Sequence, residues 1–375
     1  MAPPHCEIHF DNNPQGVFHG GQIMSGSVEL RLDKPKLVND FRLVISGRAD
    51  VRWVQQKGRD RKTYIGEEEL LRAETKLIPQ SSNTEIPAGI HTYNFASPIP
   101  LHVPTSFEGE HGKIRYTVRA ILDRPWKLDQ ACTAQFTVLK SLNLNHRIDT
   151  LKVRKKETLV KTFYFWPCTS SPLRIEAEIP MSGYVPGQRI PITVMLQNAS
   201  STSVTSINSS LQRKVSYISQ RPRELIRVVG KSLASVVTTV THDESNTYYQ
   251  QLEIPSIAPT GKCSVLAIEY ILKVKVHVNG LHSNPKIKFP ITIGTIPFTS
   301  SPARIIAPTS LSGGCTDEID TLPTAPQLQR SVNTNEDSPP PCYEEAMTGV
   351  TINANDDESN AIGFQVSKFE SGKHK

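Results

Sequence analysis

Apolar residues in this chain recur with a period of two, first from Glu7 to Val138 and again from Leu173 to Phe298. Val28, Leu30 and Leu32 alternate with Ser27, Glu29 and Arg31. Phe41, Leu43 and Ile45 alternate with Arg42, Val44 and Ser46, and Ile114, Tyr116 and Val118 with Arg115, Thr117 and Arg119. In the second stretch Ile190, Ile192 and Val194 alternate with polar or small neighbours. Leu266, Ile268, Tyr270 and Leu272 do likewise, and Ile287, Phe289, Ile291 and Ile293 form a last run. Such runs place one strand face on a core and the other in water. Turn signals separate them: Asp33-Lys34-Pro35, Lys57-Gly58, Pro87-Ala88-Gly89 and Glu108-Gly109. The pattern excludes a helical bundle and predicts antiparallel β-sandwiches.

The second half repeats the first. Phe18-His19-Gly20-Gly21-Gln22 corresponds to Tyr184-Val185-Pro186-Gly187-Gln188. Six residues past each glutamine stands a valine, Val28 or Val194, and two further on a leucine, Leu30 or Leu196. Later, Ile114-Arg115-Tyr116 corresponds to Ile268-Glu269-Tyr270, in the same order. The glycine before each glutamine is expected at a turn with positive φ. The sequence therefore divides into a sandwich over 1–150, a connection over 151–172, a second sandwich over 173–298 and a tail over 299–375.

From Thr299 onward Ser, Thr, Pro, Asn, Asp and Glu dominate. So little apolar area cannot offset the entropy of ordering, and a disordered tail is expected. The tail holds five Lys/Arg against eleven Asp/Glu, a net charge of −6, whereas the body before it carries +12. A basic body suits anionic surfaces. Within the tail, Pro340-Pro341-Cys342-Tyr343 is a PPxY sequence. Consecutive prolines favour polyproline II, which has no internal hydrogen bonds and loses little entropy on docking. Tyr343 lies one polyproline turn beyond Pro340, on the same face, where it fills a second pocket of an aromatic-lined groove such as that of a WW domain. Ser331 follows Arg330 and Ser338 precedes Pro339, both phosphorylation contexts.

Catalytic signatures are absent: no GxSxG, GxxxxGK[ST], HExxH or nucleotide GxGxxG. No enzyme activity and no cofactor are expected. His5, Cys6 and His9 could suggest a metal, but on a strand the two histidines stand about 13 Å apart. The six cysteines form no CxxC pair and no disulfide framework, and Cys263 reads as a buried structural thiol. An apolar signal core and any run of about 18 apolar residues are lacking. These features lead to the expectation of a reducing, cytoplasmic setting.

Two basic clusters are candidates for an acidic partner or an anionic membrane. The first is Lys57, Arg59, Arg61 and Lys62 at a hairpin tip. The second is Lys152, Arg154, Lys155 and Lys156, followed by the aromatic run Phe163-Tyr164-Phe165-Trp166. The aromatics are expected to pack between the sandwiches. No nucleic-acid motif accompanies the charge.

These residues resemble the α-arrestins, the arrestin domain-containing proteins. The resemblance rests on Phe18–Gln22 with Gly26-Ser27-Val28, on Gly112–Ala120, on Gly183–Gln188, on Ile293-Gly294-Thr295-Ile296-Pro297 and on the PPxY. It covers residues 7–298 and the tail motif. It implies two arrestin-type, immunoglobulin-like β-sandwiches joined by a short hinge. It also implies adaptor work, with PPxY recruiting WW-domain HECT ubiquitin ligases to the cytoplasmic segments of membrane-protein cargo, at the plasma membrane and endosomes. Many α-arrestins carry two PPxY motifs and this chain carries one, which forgoes the avidity of two linked sites. The alternative is a ligase-independent scaffold in vesicle traffic or signalling.

A peptide spanning Ser338–Met347 is expected to bind isolated WW domains at micromolar affinity, about −8 kcal/mol. Tyr343→Ala empties one pocket and is expected to weaken binding about tenfold or more. Calorimetric titration checks this, and equal binding by the variant contradicts it.

Overall fold

A computed structural model describes residues 5–78, 84–165, 168–241 and 245–299. About two thirds of them lie in strands, mostly antiparallel, that make two sandwiches. In the first body, His5–Phe10, Ile23–Leu32 and Gly89–Pro98 form a three-stranded sheet. The facing sheet runs Val17–His19, Gln130–Leu139, Gly112–Asp123, Asp40–Lys57 and Asp60–Ile78 in spatial order. In the second body one sheet runs Lys155–Lys161, Leu173–Ile179, Arg189–Asn198 and Ser245–Glu253. Its partner runs Gly183–Tyr184, Lys286–Ile293, Leu266–Val278, Val204–Ser219 and Leu225–Thr239. The two larger sheets share one plan, in which a short strand pairs parallel with the last strand of its body.

The alternating residues make the core. Val28, Leu30, Leu32, Phe41, Leu43, Ile45, Ile190, Ile192, Val194 and Phe289 are all buried. Their polar neighbours face outward, as a pleated strand with one wet face requires.

The repeated Gly-Gln signature is a repeated hydrogen-bond device. Gly21 and Gly187 adopt φ of 92° and 83°, conformations open to glycine because a Cβ is disfavoured there. The turn lets each glutamine fold back. Gln22 Oε1 accepts from the His19 N–H at 2.8 Å, and Gln188 Oε1 from the Val185 N–H at 2.9 Å. Gly21 N–H then donates to the Ile99 carbonyl and Gly187 N–H to that of Ile254. The return bonds, Ile99 N–H to Gln22 and Ile254 N–H to Gln188, complete each clasp.

The second signature is likewise doubled. The Tyr116 hydroxyl donates to the Pro104 carbonyl at 2.6 Å, and that of Tyr270 to Ala258 at 2.5 Å, each reaching back twelve residues. Both rings are buried, and burial pushes the Tyr116 phenol far up from its ordinary value. A buried phenol needs a partner, and here it pins the crossing loop to the strand.

Three expectations change. Cys6 and Cys132 form a disulfide that joins the two sheets of the first body, Cα–Cα 6.0 Å, although no cysteine pairing was expected. The partners are 126 residues apart, so only the folded sandwich brings them together. Cys263 is half-buried rather than fully buried. The expected connection over 151–172 is shorter, because Lys155–Lys161 pairs along Leu173–Ile179 and belongs to the second sandwich. What joins the bodies is a pair of single turns, Leu144–Arg147 and Ile148–Leu151. Here the Leu142 N–H donates to Thr295 Oγ1 at 2.7 Å, and Asn145 Oδ1 accepts from both the N–H and hydroxyl of Thr299. The chain thus leaves the second body at the joint. Residues 300–375 lie outside the described residues.

Tyr116→Phe and Tyr270→Phe each strand a buried carbonyl and are expected to cost about 1–2 kcal/mol of stability. Denaturant melts check this, and a variant melting with the parent contradicts it.

Candidate functional site

The longest hairpin of the first body, Asp40–Lys57 with Asp60–Ile78, runs past its own sandwich and meets the second. Trp53 and Tyr64 sit opposite each other across it. Their rings stack with centroids 5.3 Å apart and planes 11° from parallel, and both are buried. One residue further, Ile65 exchanges backbone hydrogen bonds with Arg221 of the second body: Ile65 N–H to Arg221 at 2.9 Å, and Arg221 N–H to Ile65 at 3.0 Å. Gln220 N–H also donates to the Ile65 carbonyl, and its side chain accepts from the Glu67 N–H.

Gly66 makes this approach feasible. A Cβ there would lie 2.4 Å from the Ile218 carbonyl oxygen, closer than any real contact. Next to it Glu68 Oε2 accepts from the Ser264 N–H at 2.6 Å and hydroxyl at 2.7 Å. Arg221 Nη2 lies 3.5 Å from Glu67 Oε2.

Aromatic and cationic groups fill the rest of the junction. The buried Tyr217 ring meets His111 edge-on at 5.5 Å, and burial raises its phenol pKa. The Arg213 guanidinium lies 5.3 Å from the Phe107 ring centroid, a cation–π contact between bodies. Burial beside this junction pushes the Cys263 thiol up to about 11, so it stays protonated near neutrality and is a poor nucleophile.

Two turns emerge beyond this weld. One carries Lys57, Arg59, Arg61 and Lys62, all exposed, with Gly58 at φ 61°. None of these four cations has an ion-pair partner among the described residues. The other turn, Gln220–Glu224, adds Arg221 and Arg223. Chemically this crest can attract an acidic segment or surface. Among the described residues no group of three His, Cys, Asp or Glu side chains could hold a metal. His5 and His9 instead each approach Glu7.

The second basic cluster has a different setting. Arg154 pairs with Glu178 at 2.9 Å and Lys156 with Glu176 at 2.5 Å. Lys152 lies over the Phe298 ring at 5.8 Å. Lys155 is exposed and has no ion-pair partner among the described residues. Phe163 is buried against His282 within the second body rather than between the bodies, and Tyr164 is exposed. Pro340, Pro341, Tyr343, Ser331 and Ser338 lie outside the described residues. The periodicity did not point to the Gln220–Arg223 turn or to Gly66. The one available signal was a glycine inside an apolar strand beside a run of three glutamates.

Comparison with known proteins gives a consistent result. Residues 6–145 match the family described as "Arrestin (or S-antigen), N-terminal domain", and residues 169–298 match its C-terminal domain. Arrestin domain-containing protein 17 of Caenorhabditis elegans is 30% identical over 309 residues, covering 78% of this chain and 70% of that protein. Arrestin domain-containing protein 4 of Mus musculus is 27% identical, covering 77% and 71%. Arrestin domain-containing protein 1 of Rattus norvegicus is 27% identical, covering 84% and 69%.

Gly66→Ala is expected to force Ile65 away from Arg221 and to cost about 1–3 kcal/mol. Thermal melts and the apparent size of the chain in solution check this. A variant as stable and compact as the parent contradicts the weld.

Proposed function

The chain belongs to the arrestin family, among the arrestin domain-containing proteins, and from that premise we propose that it is a non-enzymatic adaptor for membrane-protein cargo. In this reading the crest takes up acidic cytoplasmic segments of cargo, and the tail PPxY recruits a WW-domain HECT ubiquitin ligase. The chain then works in the cytoplasm, held peripherally at the plasma membrane and endosomes, and promotes ubiquitylation and internalisation of cargo.

The observation that carries this reading is the division of labour along the chain. The body is basic and its crest presents unpaired cations, while the acidic tail holds the PPxY. Thr299, fixed by Asn145 at the joint, sets where the tail begins. From Phe298 to Pro340 is 42 residues. A flexible linker of that length spans roughly 35 Å root-mean-square. Such a reach keeps a ligase near cargo on the body without fixing its orientation. Crest cations in water act chiefly through long-range attraction, so cargo capture is expected to weaken with salt.

Cells lacking the endogenous protein and re-supplied with Tyr343→Ala are expected to retain cargo capture and lose cargo ubiquitylation. Replacing Lys57, Arg59, Arg61 and Lys62 with glutamine is expected to do the reverse, impairing capture while leaving WW-domain binding intact. Full restoration of ubiquitylation by Tyr343→Ala would favour a ligase-independent scaffold instead.

A further inference from the structure

Strands Leu266–Val278 and Lys286–Ile293 pair with Lys273 directly opposite Lys288 and Lys275 directly opposite Lys286. The intervening Leu272, Val274, Val276, Ile287 and Phe289 are buried, so the pleat turns all four lysines to the outer face. Opposed residues have Cβ atoms about 5 Å apart, and like charges there are destabilising. Along each strand the second lysine follows about 7 Å on. The four lysines therefore share one patch, with Lys286 and Lys288 exposed and Lys273 and Lys275 half-buried. None has an ion-pair partner among the described residues, and Glu269, on the same strand, is held by Lys214 at 2.9 Å. His277, two residues beyond Lys275, has its pKa lowered by burial and by that lysine.

The fold does not require this arrangement, because the first body supplies a control. Aligning Tyr116 with Tyr270 places Arg119 and Ile121 at the positions of Lys273 and Lys275. The residues opposite them are Thr133 and Ala131. One cation stands where the second body has four. Three arginines elsewhere on this sheet of the first body have carboxylate partners: Arg42 with Asp40, Arg48 with Glu67, Arg115 with Glu108. The lysine patch is thus a divergence within a shared frame, kept despite its repulsion.

We propose that this face of the second sandwich docks on the anionic lipid headgroups of a membrane, a surface that rests on the adaptor reading bringing the chain to membrane cargo. Lysines on an open sheet face act as point charges and suit a flat array of phosphates and carboxylates rather than a shaped small molecule. The turn joining the two strands separates a bilayer from an acidic peptide as the occupant. Leu281 stands there 107% exposed, next to Gly280 at φ 82°. An apolar tip beside rows of lysine fits the polar–apolar boundary of a bilayer, whereas an acidic peptide would leave Leu281 in water. The face lay hidden from a search for basic runs because its charges come from alternate positions on two strands.

The test is co-sedimentation of the full chain with phosphatidylcholine vesicles, with and without phosphatidylserine. The parent is expected to bind only the anionic vesicles and to release as salt rises. Lys273→Gln/Lys275→Gln/Lys286→Gln/Lys288→Gln is expected to lower partitioning at least about a hundredfold, from about fivefold per lysine. Leu281→Ser is expected to lower it less, with the salt dependence unchanged. The quadruple variant should melt at or above the parent Tm, since repelling pairs are removed. Parent-like partitioning by the quadruple variant would overturn the proposal. So would a parent that binds polyglutamate but ignores vesicles, or a fall in Tm, which would make the lysines structural. Lost vesicle binding in the quadruple variant, alongside full ubiquitylation by Tyr343→Ala, would remove the adaptor reading and leave this surface standing. The opposite pair of results would remove the surface and leave the adaptor.

Discussion

The backbone of Ile65 and that of Arg221 hydrogen-bond each other across the two bodies, and Gly66 lets them come close enough to do so. Most other contacts at the junction depend on that approach. Main-chain bonds fix position more sharply than side-chain contacts, because their geometry leaves little room for adjustment. With the approach set, Glu68 reaches both donors of Ser264, Tyr217 meets His111, and Arg213 covers Phe107. The same approach brings the hairpin that carries the Lys57–Lys62 turn against the Gln220–Glu224 turn at the junction. A crest built from both bodies exists only while this weld holds.

The duplication separates what the fold needs from what has been added to it. The Gly-Gln clasp, the buried tyrosine and the parallel short strand occur in both bodies with nearly equal hydrogen-bond lengths. These are requirements of the architecture. Outer faces and tips differ freely, since surface side chains away from such features change stability little. Hence the charge differences between repeats inform on recognition, whereas the shared residues inform on folding.

Local signals in the sequence were legible. Period-two alternation named the core positions, and the repeated Gly-Gln placed the positive-φ turns, because both depend only on near neighbours. The pairing of Cys6 with Cys132, the reach of Glu68 to Ser264 and the rows of lysine depend on register between distant strands, which periodicity does not encode. The carboxylate partners of Arg154 and Lys156 were hidden for the same reason. As a run, Lys152–Lys156 reads as a free basic patch, yet the strand that pairs with it supplies Glu176 and Glu178. Charge in a sheet protein is better judged across strands than along them.

Amide hydrogen exchange at the junction of the intact chain tests most directly whether the two sandwiches act as one body. Slow exchange is expected at Ile65, Gln220 and Arg221, approaching that of the Tyr217 strand, because these amides lie in bonds that open only when the bodies part. Exchange there as fast as in the exposed Lys57–Lys62 turn would mean that the bodies separate freely, and would contradict a shared crest.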